Sequence, residues 1–309
     1  MRILVTGVGG PAGTNVVGLL PAGSVKAACD SDPAKRQELR RIGREDVRFY
    51  TVPNARSTDA FKRAVNSIIK KEGIDCIIPT VDEELLAFSR RPGDFNARVM
   101  VSPYETVKTC IDKALLYEKV KGQPFCPRHV VTGNRQDLAL FGTEPVFMKP
   151  RVGRGSRGTS MFTNYSCIPD ERITADNIFC EYLPGQEYTA DVLCGLDGRP
   201  LVTVPRKRLE TRKGTSMKGE THRNPQILDN VKKLCGILKF IGPANMQFKP
   251  DSKGLMKLVE INPRFSGGLP ITAEAGANTP VFLVRMLSGE KVAPPEWREG
   301  VFENRLVDR

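Results

Sequence analysis

Residues 258–268 read Leu-Val-Glu-Ile-Asn-Pro-Arg-Phe-Ser-Gly-Gly, a strand-like run with Glu260, Asn262 and Arg264 at every second position. Alternate residues of a strand share a face, so these three polar groups stand together. Upstream, Asn245-Met-Gln-Phe248 leads into Lys-Pro-Asp-Ser-Lys-Gly, a hairpin turn signal. A turn centred near Lys253 predicts Gln247 opposite Glu260, Asn245 opposite Asn262, Met246 opposite Ile261 and Phe248 opposite Val259. That register keeps apolar side chains on the core face and leaves Gln247, Glu260 and Asn262 on the other. A slip of one residue would bury Glu260, at high cost. Three oxygen donors on one face suit hard Mg²⁺, or Mn²⁺ in its place, with phosphate oxygens and water completing the shell. Arg264, two residues further on, is placed to neutralise a phosphoryl group in transfer. The alternative is an edge hairpin with an ordinary exposed polar face.

Two glycine-rich turns lie upstream. Thr6-Gly7-x-x-Gly10-x-x-Gly13 follows a strand and precedes a helix, with Asp30 where a ribose-binding acid would sit. That is a dinucleotide fingerprint; the competing reading is a tight turn that needs glycine for close packing. Tyr117-x-x-x-Lys121 has the spacing of the short-chain dehydrogenase pair but lacks an upstream serine partner. The second turn, Gly153-Arg-Gly-Ser-Arg-Gly158, is flanked by β-like runs on both sides and lacks a G-K-[ST] ending. A glycine loop between antiparallel strands can offer unobstructed backbone N–H groups to a polyphosphate. In the strand before it, Phe147, Lys149 and Arg151 share a face, which brings Lys149 to the same phosphates.

Bulk properties narrow the classes. At 309 residues and 40% hydrophobic content, with no long apolar run, the chain is expected to be globular with two or three domains, and no segment is expected to span a bilayer. The N-terminal Met-Arg-Ile-Leu-Val-Thr-Gly runs straight into a strand without a secretory pattern, so a cytoplasmic location is expected. Eight scattered cysteines and two histidines, with no C-x-x-C pair, read as reduced buried thiols rather than a zinc site. The net charge of +12 calls for an anionic partner. The basic residues are dispersed without aromatic interleaving, which argues against nucleic acid.

Along the chain, strand–helix alternation over residues 1–100 predicts a parallel α/β sheet. Its last helix is expected to be capped by a Thr80/Glu83 capping box. A short helix over 111–121 is stopped by Gly122. Seven β-rich segments follow, from 145–151 to 256–262, with helices over 226–239 and 280–288. Segments 152–158 and 209–220 read as mobile linkers.

Lys149-Pro-Arg-Val-Gly-Arg-Gly-Ser-Arg-Gly158, Glu181-Tyr-Leu-Pro-Gly-Gln-Glu187, Asn245-Met-Gln-Phe248 and Glu260-Ile-Asn-Pro-Arg264, in that order, resemble the ATP-grasp superfamily, in particular its carbamoyl phosphate synthase large-subunit-like branch. The resemblance implies a Rossmann-like pre-ATP-grasp domain over 1–102, an ATP-grasp subdomain with the phosphate loop over 103–184, and a second subdomain with the magnesium hairpin over 185–309. It implies ATP held by Lys113, Lys149, Arg151 and the Gly153, Gly155, Ser156 and Gly158 loop, with adenine on the Glu181–Tyr182–Leu183 backbone and ribose on Glu187. Gln247, Glu260 and Asn262 are the implied magnesium ligands, and Lys149 and Arg264 the implied catalytic residues. Arg206 and Arg208 are expected to steady phosphate or an acceptor carboxylate. The implied activity is carboxylate–amine ligation through an acyl phosphate, releasing ADP and phosphate, with a homodimer expected from the family. A single copy without glutaminase or biotin-carrier regions speaks against carbamoyl phosphate synthesis and biotin carboxylation. The alternatives are a short-chain-type NAD(P)-dependent dehydrogenase, a phosphotransferase on the same fold, and a nucleotide sensor. Arg151, Arg154, Arg157, Arg206, Lys207, Arg208, Arg212 and Lys213, expected near the cleft mouth, suggest an acidic acceptor. Asp82, Glu83 and Glu84 are candidates for holding an amine.

Overall fold

The computed structural model describes residues 1–304 apart from Arg154, Ser156 and Lys213. The expected roles of Ser156 and of the Arg154 and Lys213 cations therefore lie outside the described residues. The chain opens with β1 (Ile3–Thr6), α1 (Pro11–Leu19), β2 (Val25–Asp30), α2 (Arg36–Arg41), β3 (Arg48–Thr51), α3 (Thr58–Glu72), β4 (Cys76–Ile78), α4 (Asp82–Arg90) and β5 (Arg98–Val99). These strands form a parallel sheet of order β3-β2-β1-β4-β5, the expected α/β topology. β1 is buried throughout and flanked on both faces by apolar clusters, as a central parallel strand must be.

Two helices follow, α5 (Tyr104–Ile111) and α6 (Lys113–Lys119), where one was expected. The break falls at Asp112, whose extended backbone lets its carboxylate accept from the amides of Ala114 and Leu115 and cap α6. A four-stranded sheet contains β6 (His129–Val130), β7 (Val146–Pro150), β8 (Ser160–Phe162) and β9 (Asn177–Glu181), in the order β6-β9-β7-β8.

The remainder builds a six-stranded sheet from β10 (Tyr188–Cys194), β11 (Pro200–Arg212), β12 (Thr215–Thr221), β13 (Gly242–Pro250), β14 (Met256–Asn262) and β15 (Gly300–Glu303), with α7 (Pro225–Leu238), α8 (Leu269–Glu274) and α9 (Thr279–Leu287). Its order is β14-β13-β10-β11-β12-β15. α7 and α9 fall within a residue of the expected 226–239 and 280–288. Segment 209–220 is not a linker: it is the end of β11 and most of β12, paired through Thr211↔Ser216 and Arg212↔Thr215.

The β13–β14 pairing is antiparallel with Asn245↔Asn262, Met246↔Ile261 and Gln247↔Glu260, as expected. A bulge then sets Phe248 opposite Leu258 rather than Val259. The first sheet is fused to the rest of the molecule: Ile3, Val5 and Val16 share one apolar cluster with Val202, Val204, Phe265 and Leu283. This packing fixes the carboxyl ends of β1 and β4, and the start of α4, beside the β13–β14 hairpin.

Candidate active site

The cleft between the two antiparallel sheets is lined by Lys113, Lys149, Gly153, Gly155, Glu181, Tyr182, Leu183, Glu187, Arg208, Gln247 and Glu260, residues that the sequence scatters over more than a hundred positions. On one side β7 presents Lys149, buried to 5% exposure. Its Nζ donates to the Tyr117 hydroxyl at 2.8 Å and to the Val259 carbonyl at 2.9 Å, and Tyr117 in turn donates to Val259 O at 2.8 Å. Burial lowers the Lys149 pKa and neighbouring Lys113 adds to this, while Cys180 and Glu260 oppose it. Lys113, the first residue of α6, donates to Gly153 O at 3.0 Å and stands 3.8 Å from the Glu260 carboxylate. One lysine thus touches both the glycine loop and the hairpin.

The hairpin's polar face is prearranged. Asn262 Nδ2 donates to Glu260 Oε1 at 3.3 Å, and Arg264 Nη2 donates to Asn262 Oδ1 at 3.2 Å. Gln247 and Glu260 face each other in the register and both reach the cleft. One carboxylate and two carboxamide oxygens on a partly exposed face fit the donor chemistry of Mg²⁺.

At the far end of the cleft, the Glu181 carboxylate accepts from the Arg128 amide at 2.9 Å. The Tyr182 amide bonds to Pro145 O, and Lys249 Nζ lies 5.8 Å from the Tyr182 ring centroid. Burial pushes the Cys180 thiol up to about 11, so it stays protonated. Glu187 is ion-paired with Arg208, which also donates to Gly214 O at 2.6 Å. The two overhanging turns meet there, because a Cβ on Gly214 would lie 3.3 Å from the Gly155 Cα.

Other expected residues lie elsewhere. Arg206 does not reach the cleft: it is 1% exposed, 3.2 Å from the Asp191 carboxylate, and donates to Ser266 Oγ. Asp191 lies on β10, too far upstream for the sequence to announce the pairing. Arg151 is turned onto Asp112 at 2.7 Å; burial, the largest single influence, would raise the Asp112 carboxyl, but the Arg151 hydrogen bond and charge together with the Ala114 and Leu115 amides outweigh it and hold the carboxyl low. Lys207 pairs with Glu220. With Arg151, Arg206, Lys207 and Arg208 all ion-paired, they make no free cationic rim for an acidic acceptor. Gly158 and Asn262 line an adjoining chamber of about 820 Å³, which shares Lys113, Gly153 and Glu260 with the cleft. Arg264 lines neither space. Its Nε donates to Asp82 at 2.9 Å and its Nη1 to Phe265 O at 3.1 Å.

Tyr117 belongs to this site as the hydrogen-bond partner of Lys149, not as half of a dehydrogenase pair. Its only trace in the sequence was the misleading Y-x-x-x-K spacing. Thr80 does not cap α4: its hydroxyl donates to Thr6 O at 2.7 Å. Glu84 is buried, accepts from the Thr6 hydroxyl, and has its pKa pushed up to about 8 by burial and then by Asp30 and Glu83. Asp30 accepts from the Gly9 amide at 2.8 Å. Its carboxylate is thereby committed to the turn itself rather than to a ribose.

Residues 174–306 match the family model described as ATP-grasp in the biosynthetic pathway with Ter operon. No curated protein matches the sequence. Among solved structures, N5-carboxyaminoimidazole synthetase from Staphylococcus aureus, complexed with ADP, superposes with a TM-score of 0.78 at 17% identity, covering 98% of this chain and 82% of that one. The biotin carboxylase domain dimer of Hydrogenobacter thermophilus 2-oxoglutarate carboxylase, in complex with MgADP, ADP and bicarbonate, gives 0.71 at 16% identity over 97% of this chain and 73% of that one. L-amino acid ligase from Bacillus licheniformis gives 0.67 at 14%, covering 92% and 73%. Among the described residues no helix is long and apolar enough to cross a membrane. The chain thus shares its fold over nearly its whole length with these structures, and its C-terminal part matches an ATP-grasp family model.

Proposed function

We propose that this chain is an ATP-dependent carboxylate–amine ligase that forms an amide bond through an acyl phosphate. The observation that carries this reading is the convergence of Gln247, Glu260 and Lys113 on one cleft with Lys149 and the 153–158 turn. The triphosphate lies along that turn, whose backbone amides and the Lys113 and Lys149 ammonium groups take its negative charge. Gln247, Glu260 and Asn262 hold Mg²⁺, which when bound neutralises charge on the phosphoryl oxygens. Adenine packs between the 181–183 backbone and Phe147 of β7, and Glu187 takes the ribose hydroxyls.

A substrate carboxylate oxygen attacks the γ-phosphorus; its bond to ADP breaks, and an acyl phosphate forms. An amine nitrogen, having lost a proton, then attacks the acyl carbon and expels phosphate, which carries away the remaining proton. The turns meeting at Gly155 and Gly214 exclude water that would otherwise consume the acyl phosphate.

The test is ADP release from Mg·ATP across paired carboxylates and amines, with mass spectrometry of the products. A product whose mass equals carboxylate plus amine minus water supports the ligase. A phosphorylated product without amide would assign a phosphotransferase instead. A non-hydrolysable ATP analogue seated at residues 7–13 would overturn both.

A further inference from the structure

Arg264 is held away from the nucleotide cleft. Its three contacts run to Asp82, to Phe265 O and to Asn262 Oδ1. The contact with Asp82 stands out because it crosses between parts of the chain 182 residues apart, from the start of α4 to the end of the metal-binding hairpin. Both partners are mostly buried, with side chains 17% and 20% exposed. Asp82 and its neighbour Glu83 also line the chamber that opens onto Glu260 and Asn262. Glu83 stands 3.9 Å from Arg56, and Asp82 is engaged with Arg264 just past the hairpin.

We propose that Asp82 recognises the amine substrate and, through Arg264, makes phosphoryl transfer depend on that amine; the proposal rests on the ligase reading. In the free protein Asp82 holds Arg264 by a charged hydrogen bond. A primary ammonium entering the chamber is a compact cation that competes for the same carboxylate oxygen. Once displaced, the guanidinium turns about the end of β14 toward the γ-phosphate, whose charge attracts it. The cation that stabilises phosphoryl transfer therefore arrives with the nucleophile that will consume the acyl phosphate. Without amine, Arg264 stays tethered and ATP is not lost to water. No covalent step is added: when uncoupled, water attacks the γ-phosphorus and ADP leaves.

Asp82 is thus a positioning residue, and loss of its charge has an unusual signature. Asp82→Asn and Asp82→Ser, both compatible with the first position of α4, are assayed with Mg·ATP alone, without carboxylate or amine, beside wild type and Asp82→Glu. The expected result is at least a tenfold rise in ADP and phosphate release for the Asn and Ser variants, with Asp82→Glu returning toward the wild-type rate. A substituent with only a structural role would lower turnover or leave it unchanged, and either result in a folded variant overturns the proposal. Calorimetric titration of wild type with Mg·ATP separates the levels. Failure to bind removes the ligase reading itself, whereas binding without the rise in the variants removes only the coupling by Asp82.

Discussion

Two glycine-rich turns with nearly the same spelling behave in opposite ways. In the turn at residues 7–13 the space is already taken: a Cβ on Gly7 would fall 2.2 Å from Val81 Cγ2, and one on Gly13 would fall 2.4 Å from Gly7 O. Gly9 donates inward to Asp30. In the turn at 153–158, a Cβ on Gly153 meets nothing closer than Pro150 at 3.7 Å and one on Gly155 meets nothing within 4 Å, while one on Gly158, at the end of the turn, would fall 3.0 Å from Pro150 Cγ. The first turn uses glycine so that β1, α1 and the β4–α4 connection can touch. The second uses it to leave its backbone bare beside Lys113. Glycine spacing alone does not separate the two uses; what flanks it does, a buried strand and helix in one case and two antiparallel strands in the other.

The contrast is open to direct attack. Glu260→Ala, on the side of the open turn, is expected to cut ATP turnover about a thousandfold while leaving the melting temperature nearly unchanged; turnover near wild type would detach the hairpin from the chemistry. Gly13→Val, in the closed turn, is expected to cost about 4 kcal/mol in chemical denaturation, since the clash is with backbone that cannot move aside. An unchanged midpoint would mean that the closed turn is looser than its contacts imply.

Beneath the closed turn, Glu84 keeps its proton in the folded state to about pH 8, while in the unfolded chain it ionises near the ordinary glutamate value of 4.5. The folded state therefore holds the extra proton between those two values, and stability falls as pH rises through that window and levels off above it. Denaturation of Glu84→Gln should lack this slope, differing from wild type by about 3 kcal/mol in its change from pH 5 to 8; parallel profiles would refute the assignment. The smallest effect is expected for Gly155→Ala. Its φ of +64° costs an L-residue about 1 kcal/mol, and with no clash the fold should survive while the KM for ATP rises several-fold.

Legibility followed the range of the interaction. The hairpin register could be read because apolar alternation and one turn signal set it locally, and Gln247, Glu260 and Asn262 came with it. The bulge before Phe248 could not, because no residue there announces an extra position. Segment 209–220, the end of β11 and most of β12, reads as a linker because its charged residues lack a clear period of two, and pairing rather than burial holds the strand tips. Arg206, Arg151 and Arg208 could be placed near the phosphates by motif, strand face and charge, but each meets a carboxylate that only the tertiary fold brings near. Thr80 had capping-box spacing, but the adjoining end of β1 offered its hydroxyl a carbonyl instead.

The setting of Lys149 has one more consequence. Two of the three protons on its ammonium group already point at fixed oxygens, the Tyr117 hydroxyl and the Val259 carbonyl. Such a side chain has surrendered its rotational freedom before any ligand arrives, so capture of an anion here need not include the entropy of stilling a long flexible arm. It also has a single bond left to give, in one direction. Discrimination at this point is therefore a matter of where an oxygen sits rather than how much charge it brings.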